Sequence, residues 1–309
     1  MTQTRVVPFG DAAIAEAAAV VAGDGVVAVP TETVYGLAGD ATSNRAVAAI
    51  YAAKGRPSFN PLIVHVHDLA QAKTLATFDT DAEALAQAHW PGPLTLVLPA
   101  RPDAGLAAAV TAGLPTVAIR VPAHRAMQAL LEASGKPLAA PSANASGGIS
   151  PTRAEHVLRS LNGRIPLVID DGATSGGIES TIVAVCDGKV RLLRPGPVVI
   201  DGAALDTSSV IEAPGQLAGH YAPSKPLRVD ATISSPDEWH IGFGAVPGDA
   251  TLSATGDLAE AAARLFDLLH QADATARPRI AVAPVPHSGI GVAINDRLRR
   301  AAVGSGGSA

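Results

Sequence analysis

The chain has 309 residues, 48% of them hydrophobic, which is too many for one typical core and about right for two domains. A formal charge of −5 and a 3% share of aromatic residues exclude a protein that grips nucleic acid nonspecifically over its whole surface, so any RNA contact is confined to a local patch. The single cysteine, Cys186, excludes an internal disulfide and a zinc–thiolate centre, and it reads as a small buried hydrophobe in a reducing cytoplasm.

The start of the chain, Met1 to Arg5, lacks the basic-then-apolar pattern of a signal peptide, and no apolar run approaches the roughly 20 residues that cross a bilayer. The next two hundred residues alternate helical and strand-like patterns. Residues 12–22 are alanine-rich and predict a helix stopped at Gly23 and Gly25, and 26–29 predict a short buried strand. Asn44 is placed to cap a helix that ends near Gly55 and Pro57. Residues 62–66 predict a strand, and Asp68 can cap the segment after it. Further strands are expected at 94–98, 116–121, 167–169, 181–185 and 190–193, with helices at 81–89, 123–134 and 153–161. The many Pro and Gly turns favour a mixed sheet over a purely parallel one. Residues 1–203 thus form one α/β domain on a mixed open sheet. A polar, small-residue stretch at 204–226 reads as a linker, after which βα alternation restarts as a small second domain at 227–303. Residues 304–309 read as a flexible tail.

Five clusters carry candidate chemistry. In Pro30-Thr-Glu-Thr-Val-Tyr-Gly-Leu37, continued extension puts Thr31, Thr33 and Tyr35 on one face, lining a cleft or an ordinary surface edge. In Lys54-Gly-Arg-Pro-Ser-Phe-Asn-Pro-Leu62, a compact ammonium and a forked guanidinium suit phosphates. Two solvated cations at a helix C-terminus are the plainer alternative. His65 and His67 share a strand face without a third ligand at metal spacing, so hydrogen bonding is expected and no metal site. Along Thr116-Val-Ala-Ile-Arg120, Thr116, Ala118 and Arg120 share a face; a buried Arg120 needs a partner, either a substrate carboxylate or an internal acid. From Ala139 to Thr152, Ser142, Asn144, Ser146 and Ser150 alternate along a glycine-bearing loop that can present donors to an anion or simply cap the next helix. No Walker loop and no G-x-S-x-G elbow occurs. The fifth cluster is Glu179-Ser-Thr-Ile-Val183, Leu193-Arg-Pro-Gly196 and His220-Tyr221. Gly242-Phe-Gly244 lacks dinucleotide spacing, and Gly289-Ile-Gly291 reads as a turn leading into the last helix.

With Trp90-Pro-Gly-Pro-Leu-Thr95 added, these motifs stand in the order they have in the YrdC-like family of threonylcarbamoyl-AMP synthases. The chain resembles the long two-domain form, and the likeness continues through His220-Tyr-Ala-Pro223 and Gly291-Val-Ala-Ile-Asn-Asp-Arg297. The resemblance implies a twisted sheet with a concave face, followed by a Rossmann-like second domain. It implies a cytoplasmic enzyme that joins L-threonine, bicarbonate or CO2 and ATP into threonylcarbamoyl-adenylate, releasing pyrophosphate, for a downstream tRNA-modifying threonylcarbamoyl transferase. L-threonine would be held by Thr33, His65, Arg120, the backbone at Ala140, and Ser180. ATP would be held by Arg56, Asn60, Thr116, Ser142, Ser150 and Arg194, with Tyr221 closing over it. Lys54 and Arg56 would serve catalysis beside the phosphates, and Mg2+ would be held mainly by phosphate oxygens and water. The chain departs from the family pattern at Asp170-Asp-Gly172, at Ala184, and in the linker run Gln216-Leu-Ala-Gly219.

Three rival classes share parts of the pattern. A double-stranded-RNA-binding module would use a concave cationic sheet, against which the acidic charge and scarce aromatics stand. A carbamoyl-adenylate-forming enzyme of hydrogenase maturation would carry Cys-rich zinc segments, which one cysteine cannot build. A noncatalytic ATP sensor would bind without releasing pyrophosphate.

Overall fold

The computed structural model describes residues 3–186, 188–200, 202–206 and 212–306. β1 (Arg5–Pro8) leads into α1 (Asp11–Ala22), whose buried stripe of Ala13, Ile14, Ala17 and Val21 follows helical spacing. β2 (Val27–Pro30) is wholly buried and is followed, after a bend at 31–34, by β3 (Tyr35–Asp40). α2 (Asn44–Lys54) is capped by Ser43, one residue before the expected Asn44, because the Ser43 side chain accepts the Ala46 N–H. The helix stops at Gly55, whose φ of 59° is the left-handed cap that glycine adopts freely.

β4 (Ile63–His65) and α3 (Leu69–Leu75) come next, the helix capped by Asp68 as its sequence predicts. Then come α4 (Thr80–His89), β5 (Leu94–Pro99), the single turn α5 (Ala108–Thr111), β6 (Thr116–Arg120) and α6 (Arg125–Ser134). β7 (Leu138–Ala139), α7 (Ala154–Leu161), β8 (Leu167–Asp170), β9 (Thr181–Cys186), β10 (Lys189–Arg194) and β11 (Ala204–Leu205) complete the first unit. Its eleven strands run in the order β1-β8-β2-β3-β7-β4-β6-β5-β9-β10-β11. Parallel pairs such as β4/β6 and β5/β9 alternate with antiparallel ones such as β5/β6 and β9/β10. The sheet is mixed and open. Separate apolar clusters pack against it, one built around Leu37, Leu96 and Ile119, another around Ile14, Met127 and Ile169.

The second unit holds β12 (Leu227–Arg228), β13 (Glu238–Gly242), β14 (Ala250–Thr251), α8 (Leu258–Ala274), β15 (Arg279–Val282) and α9 (Gly291–Gly304). Its four strands are all parallel, in the order β12-β15-β13-β14. Its core is not self-contained: Val34, Ile149, Ile178 and Tyr221 pack into the same cluster as Phe266 and Leu298. The two units therefore share buried apolar surface.

The stretch read as a linker is more structured than its composition implied. β11 extends the first sheet by pairing with β10; residues 207–211 of that stretch lie outside the described residues. Gln216 then accepts the Glu212 and Ala213 N–H groups, closing a compact turn. Residues 304–306, read as part of a tail, belong to the second unit: Gly304 ends α9, and the Ser305 hydroxyl accepts the Leu227 N–H at 3.1 Å. Residues 307–309 of that tail lie outside the described residues. Among the described residues no helix is long and apolar enough to cross a membrane.

Candidate active site

Parallel pairing of β4 with β6 brings His65 level with Arg120 at the ends of both strands. The parallel neighbours β5 and β9 both begin at that end of the sheet, which puts Ser180 next to it. Chain segments far apart in sequence thus converge on one cavity. Its lining includes Thr31, Thr33, Arg56, His65, Arg120, Ala140, Ser142, Glu179, Ser180, Arg194, Pro214, Gly215, His220 and Tyr221.

The expected continuation of the strand through Tyr35 does not occur. The Thr31 hydroxyl donates to Val34 O at 2.7 Å and accepts the Thr33 and Val34 N–H groups, and this local closure bends the chain. Thr31 and Thr33 face the cavity, with their hydroxyls 2.8 Å apart. Tyr35 instead sends its hydroxyl to Asp170 and Gly172, outside the cavity lining.

One end of the cavity is electrically balanced. Arg120 is buried and forms an ion pair with Glu32 at 2.6 Å, while it donates to Gly92 O and to Thr33 Oγ1. The internal acid is therefore Arg120's resident partner, and a substrate carboxylate is not needed to account for its burial. His65 is buried with Nδ1 unpartnered, and burial, helped by the Arg120 charge, pushes its pKa down to about 3. It is a neutral imidazole at pH 7. Ser180 shares a hydrogen bond of 2.7 Å with Thr95.

The other end carries uncompensated positive charge. Arg56 donates to Asn60 O, Asn60 Oδ1 and Pro61 O; Arg194 donates to Ser180 O, Ser180 Oγ and Pro214 O. Among the described ion pairs, neither has a carboxylate partner. Burial is the main reason both pKa values fall, that of Arg56 to about 10, and each is lowered further by a neighbouring guanidinium.

Three expected ATP residues lie outside the lining. Asn60 serves as Arg56's acceptor, Ser150 donates its hydroxyl to Glu179 Oε1 at 2.5 Å, and Thr116 sits four residues up β6 from Arg120, opposite Pro99. Lys54 is also not in the cavity: its buried Nζ holds the carbonyls of Ser142 and Asn144, each at 2.5 Å. It braces the Ser142 loop from below.

The chain from Ala213 to Tyr221 closes over this end. Tyr221 is buried at a left-handed φ of 63°, stacked on Phe266 of α8. A Cβ on Gly215 would meet the Tyr221 hydroxyl oxygen at 2.6 Å and Arg194 Cδ at 3.0 Å, so only glycine fits. Glu32 and Arg297, which the sequence motifs did not single out, complete the setting. Arg297 of α9 is fully buried and donates to Glu179 at 2.8 Å. The signal for it was the motif Gly291–Arg297, read in the sequence as part of the family likeness without a role for Arg297.

The departures from the family pattern have local explanations. Asp171 pairs with Arg125 at 2.5 Å, Ala184 is packed in an apolar cluster, and Leu217 offers its carbonyl to Arg300.

A protein-family model covering Sua5, YciO and YrdC proteins, described as telomere recombination, matches residues 19–196, and one described as the threonylcarbamoyl-AMP synthase C-terminal domain matches 179–303. A threonylcarbamoyl-AMP synthase of Bacillus subtilis is 42% identical over 95% of this chain and 94% of its own length. One of Pyrococcus abyssi is 38% identical over 89% of each chain. The crystal structure of P. abyssi Sua5 complexed with L-threonine superposes with a TM-score of 0.89 at 35% identity, covering 98% of both chains. The chain belongs to the Sua5/YciO/YrdC family, in the two-domain form that carries the threonylcarbamoyl-AMP synthase C-terminal domain.

Proposed function

We propose that the cavity makes threonylcarbamoyl-adenylate from L-threonine, bicarbonate or CO2 and ATP, with pyrophosphate as the other product. The observation that carries this reading is the pair of buried guanidiniums, Arg56 and Arg194, which line one cavity and have no carboxylate partner among the described ion pairs. Buried unpaired cations are costly, and a polyphosphate ligand offsets that cost. The other end, with Thr33, neutral His65 and the Arg120–Glu32 pair, suits a small zwitterion. The P. abyssi relative bound to L-threonine supports that assignment.

The chemistry takes two balanced steps. The threonine amine adds to CO2, forming a C–N bond and losing a proton; from bicarbonate, that proton leaves with the displaced hydroxide as water. A carbamate oxygen then attacks the α-phosphorus in line, and the bond from that phosphorus to the β-phosphate bridge oxygen breaks. Such chemistry needs positioning and charge compensation more than a nucleophilic side chain. Arg56 and Arg194 offset phosphate charge, Arg120 orients the threonine carboxylate, and Lys54 fixes the Ser142 loop.

Among the described residues Glu179 is the one carboxylate lining the cavity, and it already accepts from Ser150 and Arg297. Mg2+ therefore fits as part of the Mg–ATP substrate, held by phosphate oxygens and water, where it screens phosphate charge. Pro214, Gly215, His220 and Tyr221 line the Arg56/Arg194 end, so ATP enters as the 213–221 segment lifts. The adenylate is passed to a tRNA-modifying transferase.

The test is one incubation of purified protein with ATP, bicarbonate and L-threonine, with pyrophosphate release and the mass of the adenylate as its readouts. Omitting any component should abolish both signals. Replacing threonine by serine should lower kcat/KM by about 10- to 200-fold, the discrimination one methyl group supports. Pyrophosphate release without threonine would sink the reading.

A further inference from the structure

We infer that Arg297 of α9 is a positioning residue of the nucleotide site: it occupies Glu179 and so keeps Arg194 free for phosphate, which makes the second domain part of the ATP site. This rests on the proposed ATP-dependent function.

Glu179 lines the cavity at its positively charged end. A bare carboxylate there would repel a polyphosphate and draw Arg194 toward itself. Both its oxygens are taken: Oε1 accepts the Ser150 hydroxyl at 2.5 Å, and Oε2 accepts Arg297 Nε at 2.8 Å. Burial pushes the Glu179 carboxyl up, but the charges of Arg297 and then Arg194 outweigh it and hold it ionised. With Glu179 occupied in this way, Arg194 donates to Ser180 and to Pro214 O and interacts with the Tyr221 hydroxyl, and none of its described hydrogen bonds goes to Glu179. Take Arg297 away, and Arg194 is the strongest remaining cation acting on Glu179.

Arg297 is held for this task. Its Nη1 donates to Asp296 at 2.9 Å and to Pro195 O at 3.0 Å, and its guanidinium lies 5.2 Å from the centre of the Tyr221 ring. Asp296 in turn pairs with Arg300, which donates to Leu217 O in the closing segment. Three residues of one helix thus reach Glu179, Tyr221 and the closing segment together. Nothing comparable reaches the other end: the partners described for Arg120 are Glu32, Thr33 and Gly92, all of the first unit.

The experiment measures binding of ATP and of L-threonine separately, by calorimetry on the full chain, for wild type, Arg297→Met, Glu179→Gln and the double variant. Arg297→Met should weaken ATP by about 10- to 100-fold, the scale of one charge-assisted contact, and leave threonine binding unchanged. Adding Glu179→Gln to it should recover most of the ATP affinity, because the uncompensated carboxylate is gone. A purely structural role predicts otherwise, with both ligands lost together and no recovery in the double variant; either result overturns the inference. Should Arg297→Met not fold, the double variant leaves neither member of the pair charged and unpartnered. It should then bind ATP as Glu179→Gln alone does, and a further tenfold loss would overturn the proposal. Wild type that binds neither ligand would defeat the functional reading instead, whereas wild-type binding with an unaffected Arg297→Met defeats only this inference.

Discussion

Arg56→Met separates a residue kept for its ligand from one kept for the fold. In the structure its guanidinium makes three hydrogen bonds, to Asn60 O, Asn60 Oδ1 and Pro61 O, and no described ion pair. Each such bond is worth about 0.5–1.5 kcal/mol net, while burying a cation without a counter-charge costs several kcal/mol. The two nearly cancel, so the variant should unfold within about 3 °C of wild type, the shift that roughly 1 kcal/mol produces in a domain of this size. Activity should not track stability. Losing a charge-assisted phosphate contact costs about 1.5–3 kcal/mol of transition-state stabilisation, or about 10- to 150-fold in kcat/KM for ATP. Half-saturation by threonine should barely move, because Thr33 and Arg120 at the other end have partners of their own.

The assay is pyrophosphate release with each substrate varied in turn, beside a thermal melt of the same preparation. Arg56→Lys adds a control: it keeps the charge but not the fork, and should fall between the two. Undiminished synthesis in Arg56→Met would refute the phosphate role. A large fall in melting temperature with equal losses for both substrates would show that Arg56 serves the fold.

Three further outcomes are expected. Gly215→Ala places a methyl group 2.6 Å from the Tyr221 hydroxyl at a φ of 86°, so the closing segment must shift; with a backbone penalty of about 1–2 kcal/mol, half-saturation by ATP should rise about tenfold, read from steady-state pyrophosphate release. Lys54→Met gives up two hydrogen bonds to buried carbonyls, worth about 0.5–1.5 kcal/mol each, together with the several kcal/mol that burying an ammonium costs, so urea unfolding should show a change of no more than about 1 kcal/mol, as for Arg56→Met. Acid should unfold the protein early: burial pushes the pKa values of His65, His156 and His220 down to about 3 and that of His270 to about 4. The unfolded chain takes up these protons near pH 6.5 and the folded one does not, so stability is full above pH 6.5 and is lost as pH falls toward 4, at roughly 1 kcal/mol per pH unit for each group. Equal urea midpoints at pH 7.5 and pH 5 would contradict this.

Long elements with a clear period were legible in the sequence. α1, α2 and α6 stand close to where alanine-rich or amphipathic spacing and glycine stops put them, and β5, β6, β8, β9 and β10 match their apolar runs. Local pattern could not show anything fixed by pairing. β7 is two residues long and exists because it sits between β3 and β4; β3 carries two glycines, and β11 is held by β10 alone. The site divides in the same way. Thr33, Arg56, His65, Arg120, Ser142, Ser180, Arg194 and Tyr221 were named from motifs and do converge. Lys54, which its loop allows as either a phosphate cation or a solvated charge at a helix end, is buried under the Ser142 loop. Arg120's choice between a ligand and an internal acid was open in the sequence, since only the 31–34 bend brings Glu32 to it.

The charge layout also decides why one cavity takes two such different substrates. At the β4/β6 end, one guanidinium meets one carboxylate, so the surroundings are neutral overall and suit an amino acid that is itself neutral overall. At the Arg56/Arg194 end, Glu179 is the one acid among the described residues of the lining, and a cation from α9 cancels it, so both arginines remain for phosphate. A nucleotide at the threonine end would meet an Arg120 already neutralised by Glu32, and threonine at the other end would leave two buried cations short of charge. The field thus sorts the substrates before any shape is tested.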